Sequence, residues 1–335
     1  MSIIIFCIGI VIILTVAADL LLTTIQSSGA GFISGPLSAG LWRLIKNLAG
    51  HRPQSTLLSY SGFIIVFILL LFWVGTMWSG YFLLYMADAG SVIHSQTKLP
   101  ADVWEKVYFS GFAISTLGIG DFIPGNNLYR VITALNALNG LILITMAITY
   151  LLPVLSAVNF RRQLAGLIAD MGDSPVCILK NSWDGKQFKY LEPFLEDLHH
   201  MLLEHTQKHL AYPVIHYFHH RHLSYSAPVS VVRLDEALTI ARNMFPAEVL
   251  SNPMMVHSVQ LALSDYFSTL NNSFIRPADQ PPDFAYQKEL ILEFSDVKFK
   301  MRRDLDKEHY EKRKISMSLV RSDCWNWNNV LGKSV

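Results

Sequence analysis

Charged residues are scarce in this sequence of 335 residues. Asp, Glu, Lys and Arg make up 16% of the chain, whereas soluble domains carry about 25%. Hydrophobic residues make up 51%, and residues 1–160 hold only 11 of the 27 basic and 26 acidic side chains. The first half therefore has the composition of a membrane protein, and residues 161–335 have that of an ordinary polar domain.

Cysteine clusters and an excess of one charge sign are also missing. Three cysteines lie far apart, so neither a disulfide framework nor a cysteine zinc cluster is expected. The net charge is +1, and the 21 basic and 21 acidic residues of positions 161–335 balance, which argues against nucleic acid as a partner. We found no nucleophile elbow, phosphate loop or zinc-protease motif, so neither an enzyme nor a cofactor is expected.

Three long uncharged runs predict membrane-spanning helices at residues 3–25, 61–86 and 131–155, because about 20 apolar residues cross a bilayer. We interpret the first run as a membrane helix rather than a cleaved signal peptide, since no basic residue precedes it. It contains one charged side chain, Asp19, near its end. That position favours a solvated, interfacial carboxylate over a functional one.

Basic residues near the helix ends predict the orientation in the membrane, because they favour the cytoplasmic side. Those that decide it are Arg43, Lys46, Arg52, Arg161 and Arg162. Residues 37–48 between the first two spans predict an amphipathic helix in the cytoplasmic interface. We therefore expect a multi-pass protein of the plasma membrane, with its C-terminal domain in the cytoplasm and residues 88–127 outside.

The segment between the second and third spans predicts a re-entrant loop. Residues 101–115 form a short helix in this prediction, with Asp102 and Glu105 at its N-terminus, where acidic groups are favoured. This helix is too short to cross a bilayer. Irregular backbone at membrane depth must be buried in protein or line an aqueous path, so we expect a pore at residues 115–125.

The pore segment reads S-T-L-G-I-G-D-F-I-P-G. Gly118 and Gly120 permit left-handed backbone, which turns successive carbonyl oxygens toward one axis and lets them replace the water around a cation. Thr116, Leu117 and Ile119 are expected to alternate with these glycines and to point their side chains into a supporting wall. The stretch T-L-G-I-G-D resembles the selectivity filter of potassium channels and is similar to the second pore loop of two-pore-domain channels.

The resemblance covers residues 61–155 and implies roles for six residues. Potassium ions would be bound by the carbonyl groups of four of them and by the threonine hydroxyl, and the aspartate would lie at the outer mouth. The six are Thr116, Leu117, Gly118, Ile119, Gly120 and Asp121. Because each chain holds one such loop and a ring of four surrounds an ion, the resemblance implies a homotetramer.

Two positions depart from the family pattern. Ile119 replaces the commoner tyrosine, so packing against Phe109 and Phe112 would have to take the place of a hydrogen bond to the pore helix. Phe112 also stands where some members carry a carboxylate that braces the outer aspartate. Asp121 therefore needs another partner.

Two residues of the third span are candidates for gating. Gly140 could be a hinge, or it could allow close helix packing, and the sequence favours neither. Pro153 could kink the helix or end its regular part, and we favour the second interpretation. Since no span carries a ladder of arginines, direct voltage sensing is not expected.

Residues 161–335 predict a mainly helical domain that does not resemble the dinucleotide-binding or cyclic-nucleotide-binding domains that regulate many channels. The helical patterns cover residues 190–211, 234–244, 254–270 and 285–316. Eight of the twelve histidines fall between positions 199 and 222. His205 and His209 are spaced by four residues, which is a possible metal site or pH sensor, although such side chains usually lie on solvated helix faces.

Together these patterns predict an all-α membrane protein with three transmembrane helices, a re-entrant pore helix and filter, and a helical cytosolic domain. We divide it into residues 1–58 (first span and interfacial segment), 59–160 (pore domain) and 161–335 (cytosolic domain). The expected function is passive, potassium-selective conduction across the lipid bilayer. The alternatives are a weakly selective monovalent cation channel and a membrane-anchored metal or pH sensor.

Overall fold

A computed structural model describes residues 2–25, 30–273, 275–284, 286–295, 297 and 307–333. The chain forms two compact units. We call residues 1–41 and 63–155 the membrane unit and residues 42–62 and 156–335 the C-terminal unit. The first span thus groups with the pore helices, whereas the segment before the second span groups with the C-terminal part.

Three helices are long and apolar enough to cross a membrane: α1 (Ile3–Ile25), α4 (Ser61–Met86) and α6 (Asn127–Met171). They confirm the three predicted spans. The helix α6 continues for 45 residues with Pro153 inside it, so the expectation that Pro153 ends the helix is wrong. A proline removes one backbone hydrogen bond, and the buried side chains of Tyr150 and Val154 hold the turns on either side in place.

Asp19 of α1 is fully buried, which contradicts the expected solvated position. The helix α2 (Ser34–Leu48) begins against it, and the carboxylate accepts hydrogen bonds from the backbone N–H groups of Ile33 (2.8 Å) and Ser34 (3.2 Å) and from the Ser34 hydroxyl. The Trp73 indole of α4 donates a further bond of 3.1 Å. A helix N-terminus supplies N–H donors and a positive dipole, and these compensate the buried charge.

The connection between α4 and α6 contains the short helix α5 (Val103–Ile114) and two strands that the sequence patterns did not predict. Strands β1 (Val92–His94) and β2 (Phe122–Pro124) pair antiparallel, with Ile93 opposite Ile123. The backbones approach closely beside this pair, because a Cβ at Gly125 would overlap the carbonyl oxygen of Gly90. The loop after α4 is therefore fastened to the chain that follows residues 116–121.

The C-terminal unit is helical, as predicted. Its helices are α3 (Thr56–Ser59), α7 (Pro175–Ser182), α8 (Glu192–Ala211), α9 (Ala227–Met244), α10 (Pro253–Ser273), α11 (Gln287–Glu293), α12 (Lys307–Ser322) and α13 (Trp327–Val330). The core surrounds α9, whose positions 227–241 are all buried. Among them Glu236 is paired with Arg313 of α12 at 2.9 Å.

The single helix expected at residues 285–316 is wrong. Helix α11 ends at Glu293, and the chain turns at residues 294–295. The turn places Phe294 in an aromatic cluster, with ring centroids 5.1 Å from Phe245 and 5.7 Å from Trp183. Burial of this ring outweighs one more helical turn. Residues 296 and 298–306 of the expected helix lie outside the described part of the chain.

Candidate functional site

The helix α5 begins with a capping box. The Asp102 carboxylate accepts a hydrogen bond from the Glu105 backbone N–H (2.8 Å), and the Glu105 carboxylate accepts one from the Asp102 N–H (2.7 Å). Both acidic groups lie at the positive end of the helix dipole. The short helix predicted from these residues is therefore confirmed, and its start is fixed locally.

Side chains of both flanking membrane helices hold the middle of α5. The Trp78 indole of α4 donates to the Ser110 hydroxyl at 2.9 Å, and the Asn136 amide of α6 donates to the Ser110 carbonyl at 3.2 Å. Asn136 is fully buried. Sequence reasoning missed this residue, although the asparagines at positions 136 and 139 of an apolar span were a usable signal, because buried polar groups in membranes are costly without a partner.

Gly140 of α6 lies against the C-terminal end of α5. A Cβ at this position would overlap the carbonyl oxygen of Ile114, so only glycine allows this approach of the two backbones. The structure thus favours the packing alternative for Gly140. The hinge role stays a prediction.

The end of α5 leads directly into the filter segment, which we define as residues 116–121. The Leu117 N–H donates to the Phe112 carbonyl (2.9 Å) and the Thr116 N–H to the Ala113 carbonyl (3.1 Å). This pair of bonds is the Schellman arrangement, in which the first residue beyond the cap is left-handed and usually glycine. Here that residue is Thr116, with a φ of +59°.

Left-handed backbone recurs through the filter segment. Gly118 has a φ of +58° and Gly120 a φ of +86°, as the glycine pattern predicted. The left-handed Thr116 was not predicted and is an outlier for a β-branched residue, at a cost of about 1–2 kcal/mol. A position where glycine would be unstrained has kept a threonine, and such retained strain is typical of functional sites.

The side chains of the filter segment are uncovered within one chain. Leu117 is 64% exposed and Ile119 is 55% exposed. Phe109 and Phe112, the expected supports of Ile119, are buried and pack on each other at 5.0 Å. The wall expected around Ile119 is thus not complete within one chain.

Asp121 has a partner that sequence reasoning missed, the phenol of Tyr108 on α5. Desolvation raises the pKa of Tyr108, and a hydrogen bond to Asp121 and the charge of that carboxylate raise it further. The Asp121 carbonyl also accepts from the Ser95 N–H at 2.8 Å. Tyr108 is therefore a polar neighbour of Asp121 that the sequence pattern did not predict.

The helix α6 presents an apolar surface that its own chain leaves open. Its exposed large side chains are Leu128, Val131, Leu135, Leu138, Leu141, Ile142, Ile144, Ile148 and Leu152. Such a surface on a spanning helix is available to lipid or to another copy of the chain.

The candidate metal ligands of α8 lie in the core of the C-terminal unit. His205 and His209 are buried, with ring centroids 5.8 Å apart and 5.0 Å and 6.0 Å from that of Tyr266. Burial, followed by the charges of Arg161 and Lys208, lowers the pKa of His205 to about 3. Burial also lowers the pKa of His209 well below its ordinary value, and the solvated face expected for these residues is wrong.

Metal binding by this pair lacks a third ligand in the described part of the chain. No group of three or more His, Cys, Asp or Glu side chains there could hold a metal ion. Both ring nitrogens of His205 are buried without a hydrogen-bond partner among the described residues. His205 is therefore a neutral core side chain at ordinary pH.

Comparisons with known proteins add two findings. Residues 63–157 match a family model described as ion channel, and this range includes α5 and the filter segment. The membrane protein YdjJ of Bacillus subtilis is 34% identical over 265 residues, which cover 79% of this chain and 77% of that protein. No solved structure matches this chain.

Proposed function

This chain belongs to the ion-channel family, and from that premise we propose that it is a potassium channel. Conduction is passive and passes through a homotetrameric pore in the plasma membrane. Thr116, Leu117, Gly118, Ile119 and Gly120 form the filter, and Asp121 lies at its outer mouth. The C-terminal unit is cytoplasmic, since basic residues lie between the first two spans and directly after the third, and basic residues near helix ends favour the cytoplasmic side.

The observation that carries the proposal is the repeated left-handed backbone at Thr116, Gly118 and Gly120. Alternation of left-handed residues with Leu117 and Ile119 allows successive carbonyl oxygens to face one side of the chain. A row of such oxygens replaces the hydration shell of a potassium ion. The helix α5 directs its negative C-terminal end to the same place, which favours a cation.

Fourfold assembly explains the uncovered side chains of the filter segment. One chain supplies one row of carbonyl oxygens, whereas a filter requires a ring of rows. Leu117 and Ile119, exposed in a single chain, would be covered by neighbouring copies around a fourfold axis. The exposed apolar surface of α6 would face these copies, the inner cavity and lipid.

Gly118→Ala tests the filter directly. Within one chain nothing lies within 4 Å of a Cβ at Gly118, so the substitution acts there through backbone conformation, because the residue is left-handed. Purified protein in liposomes should pass potassium in preference to sodium, and the variant should lose this flux. Gly75→Ala in α4 is the matched control, since its Cβ also meets nothing within 4 Å and its backbone is helical.

The flux experiment has two outcomes that would count against the proposal. If Gly118→Ala carried the same potassium flux as Gly75→Ala, the filter assignment would be wrong. Equal potassium and sodium flux, lost in Gly118→Ala, would favour the weakly selective cation channel instead. A specific observation supports this second candidate: Ile119 is 55% exposed and has no hydroxyl that could hold the filter in shape.

A further inference from the structure

A large cavity lies within the C-terminal unit. Its volume is about 1080 Å³, slightly above the roughly 300–1,000 Å³ of known ligand pockets. Three stretches of chain line it, at residues 48–57, 221–223 and 324–329. We call this cavity the basic pocket.

The lining of the basic pocket carries charge of one sign. Arg52 and Arg221 line it together with His51 and His222, and no acidic side chain is among the described residues of its wall. Neither arginine forms an ion pair with another described residue. Two unpaired guanidinium groups at one cavity attract an anion, and their planar donors match the oxygens of a phosphate group.

The neutral lining adds hydrogen-bond donors. Asn326 and Asn329 use their side-chain oxygens in the capping box of α13, at 3.2 Å and 3.0 Å from each other's backbone N–H groups, which leaves their amide nitrogens as donors. Trp325 is 6% exposed, and its indole nitrogen is buried without a partner in the described part of the chain. The lining is therefore rich in donors.

The three walls of the basic pocket are tied together by His219. Its Nε2 lies 2.6 Å from the Pro53 carbonyl and its Nδ1 lies 3.0 Å from the Asp323 carboxylate. Ser226 donates a further bond to Asp323 at 3.2 Å. Pro53 belongs to the first wall, His219 and Ser226 flank the second, and Asp323 precedes the third, so these hydrogen bonds connect the three stretches that line the pocket.

We propose that the basic pocket binds a phosphate-bearing anion, with Arg52 and Arg221 as its charged ligands. The anion is either a soluble phosphate compound or the headgroup of an anionic lipid. The pocket wall includes Leu57, four residues before the membrane helix α4 begins at Ser61, and this proximity along the chain is the reason to test a lipid headgroup beside a soluble anion.

Titration of the purified full-length protein in neutral detergent tests the proposal. Binding is measured by isothermal titration with inorganic pyrophosphate, with dioctanoyl phosphatidylglycerol, and with zwitterionic dioctanoyl phosphatidylcholine as the control lipid. Arg52→Gln and Arg221→Gln should each weaken binding of the anionic titrant about tenfold or more, because each removes charge-assisted hydrogen bonds. Both side chains are exposed, so both variants are expected to fold.

Arg242→Gln is the matched control, since Arg242 is exposed on α9 and outside the pocket. Binding of pyrophosphate that depends on Arg52 and Arg221 supports a soluble anion, and binding of phosphatidylglycerol alone supports a lipid headgroup. The proposal is overturned if neither anion binds, if phosphatidylcholine binds as well as phosphatidylglycerol, or if Arg242→Gln weakens binding as much as the pocket variants do.

Discussion

The filter segment and the histidine-rich segment at residues 199–222 both have an unusual composition, but they differ in burial. The filter segment is exposed within one chain, and its unusual feature is its left-handed backbone. The histidine-rich segment places His205, His209 and His219 in the core, and their side chains carry its chemistry. A run of unusual residues therefore indicates an unusual local structure. The structure shows whether the unusual feature is the backbone conformation or the burial of the side chains.

The histidines themselves divide into two kinds. His205 is neutral, because burial lowers its pKa to about 3. His219 lies between two acceptors, a carboxylate and a carbonyl, and this arrangement favours the ring with both nitrogens protonated. Burial lowers the pKa of His219, but the charge and hydrogen bond of Asp323 and the Pro53 carbonyl raise it above its ordinary value.

The largest effect is expected from Gly140→Ala, at the point where α6 supports the backbone beneath the filter. The added methyl group would overlap the Ile114 carbonyl oxygen, which must move and disturb the end of α5. We expect a loss of stability of about 3 kcal/mol or more and loss of potassium flux. Thermal unfolding and liposome flux measure both, and a stability equal to that of Gly75→Ala would refute the packing role.

His205→Phe should reduce the acid sensitivity of the C-terminal unit, because it removes one of the buried histidines whose pKa is lowered. The folded pKa of about 3 lies below the unfolded value of about 6.5, so stability is complete above pH 6.5 and is lost as the pH falls toward 3. At pH 5 the phenylalanine variant should gain about 2 kcal/mol over the wild type, relative to pH 7.5. Unfolding at both pH values measures this difference, and the exposed His257→Phe is the control.

His219→Gln should have the opposite pH dependence and a smaller effect. Because the folded pKa is raised, the stabilisation is complete below about pH 6.5 and is lost as the pH rises through the folded pKa. We expect the variant to be about 1.5 kcal/mol less stable at pH 6 and closer to the wild type at pH 9. An equal loss at both pH values would mean that His219 is not cationic in the folded protein.

Thr116→Gly should separate stability from conduction. The variant relieves a left-handed threonine and should gain about 1 kcal/mol in thermal stability, while losing the hydroxyl proposed to bind potassium. Potassium flux should fall although the protein unfolds at a higher temperature. Ser115→Gly next to it is the control, because Ser115 has a right-handed backbone and should gain no stability. A less stable Thr116→Gly would show that Thr116 is not strained.

Composition and periodicity predicted the spans, the start of α5 and the left-handed glycines, because each depends on local sequence. Composition and periodicity did not predict the features that depend on residues distant in the sequence. Asp19 is buried because Trp73 and the start of α2 meet it, and Pro153 stays helical because neighbouring turns are buried. The left-handed backbone of Thr116 was not predicted for another reason. It results from the way α5 ends, and the residue at such a position is usually glycine rather than threonine.

The bonds of Asp19 have a practical consequence for shortened versions of this protein. Deleting residues 2–25 would remove a transmembrane segment together with the Asp19 carboxylate. This carboxylate accepts hydrogen bonds from the backbone N–H groups of Ile33 and Ser34, from the Ser34 hydroxyl and from the Trp73 indole. Each donor left unpaired in a buried place costs about 1–3 kcal/mol. An N-terminal truncation that appears to remove only a membrane anchor would therefore weaken α2 and α4 as well, and a tag or fusion partner is better placed before Ser2.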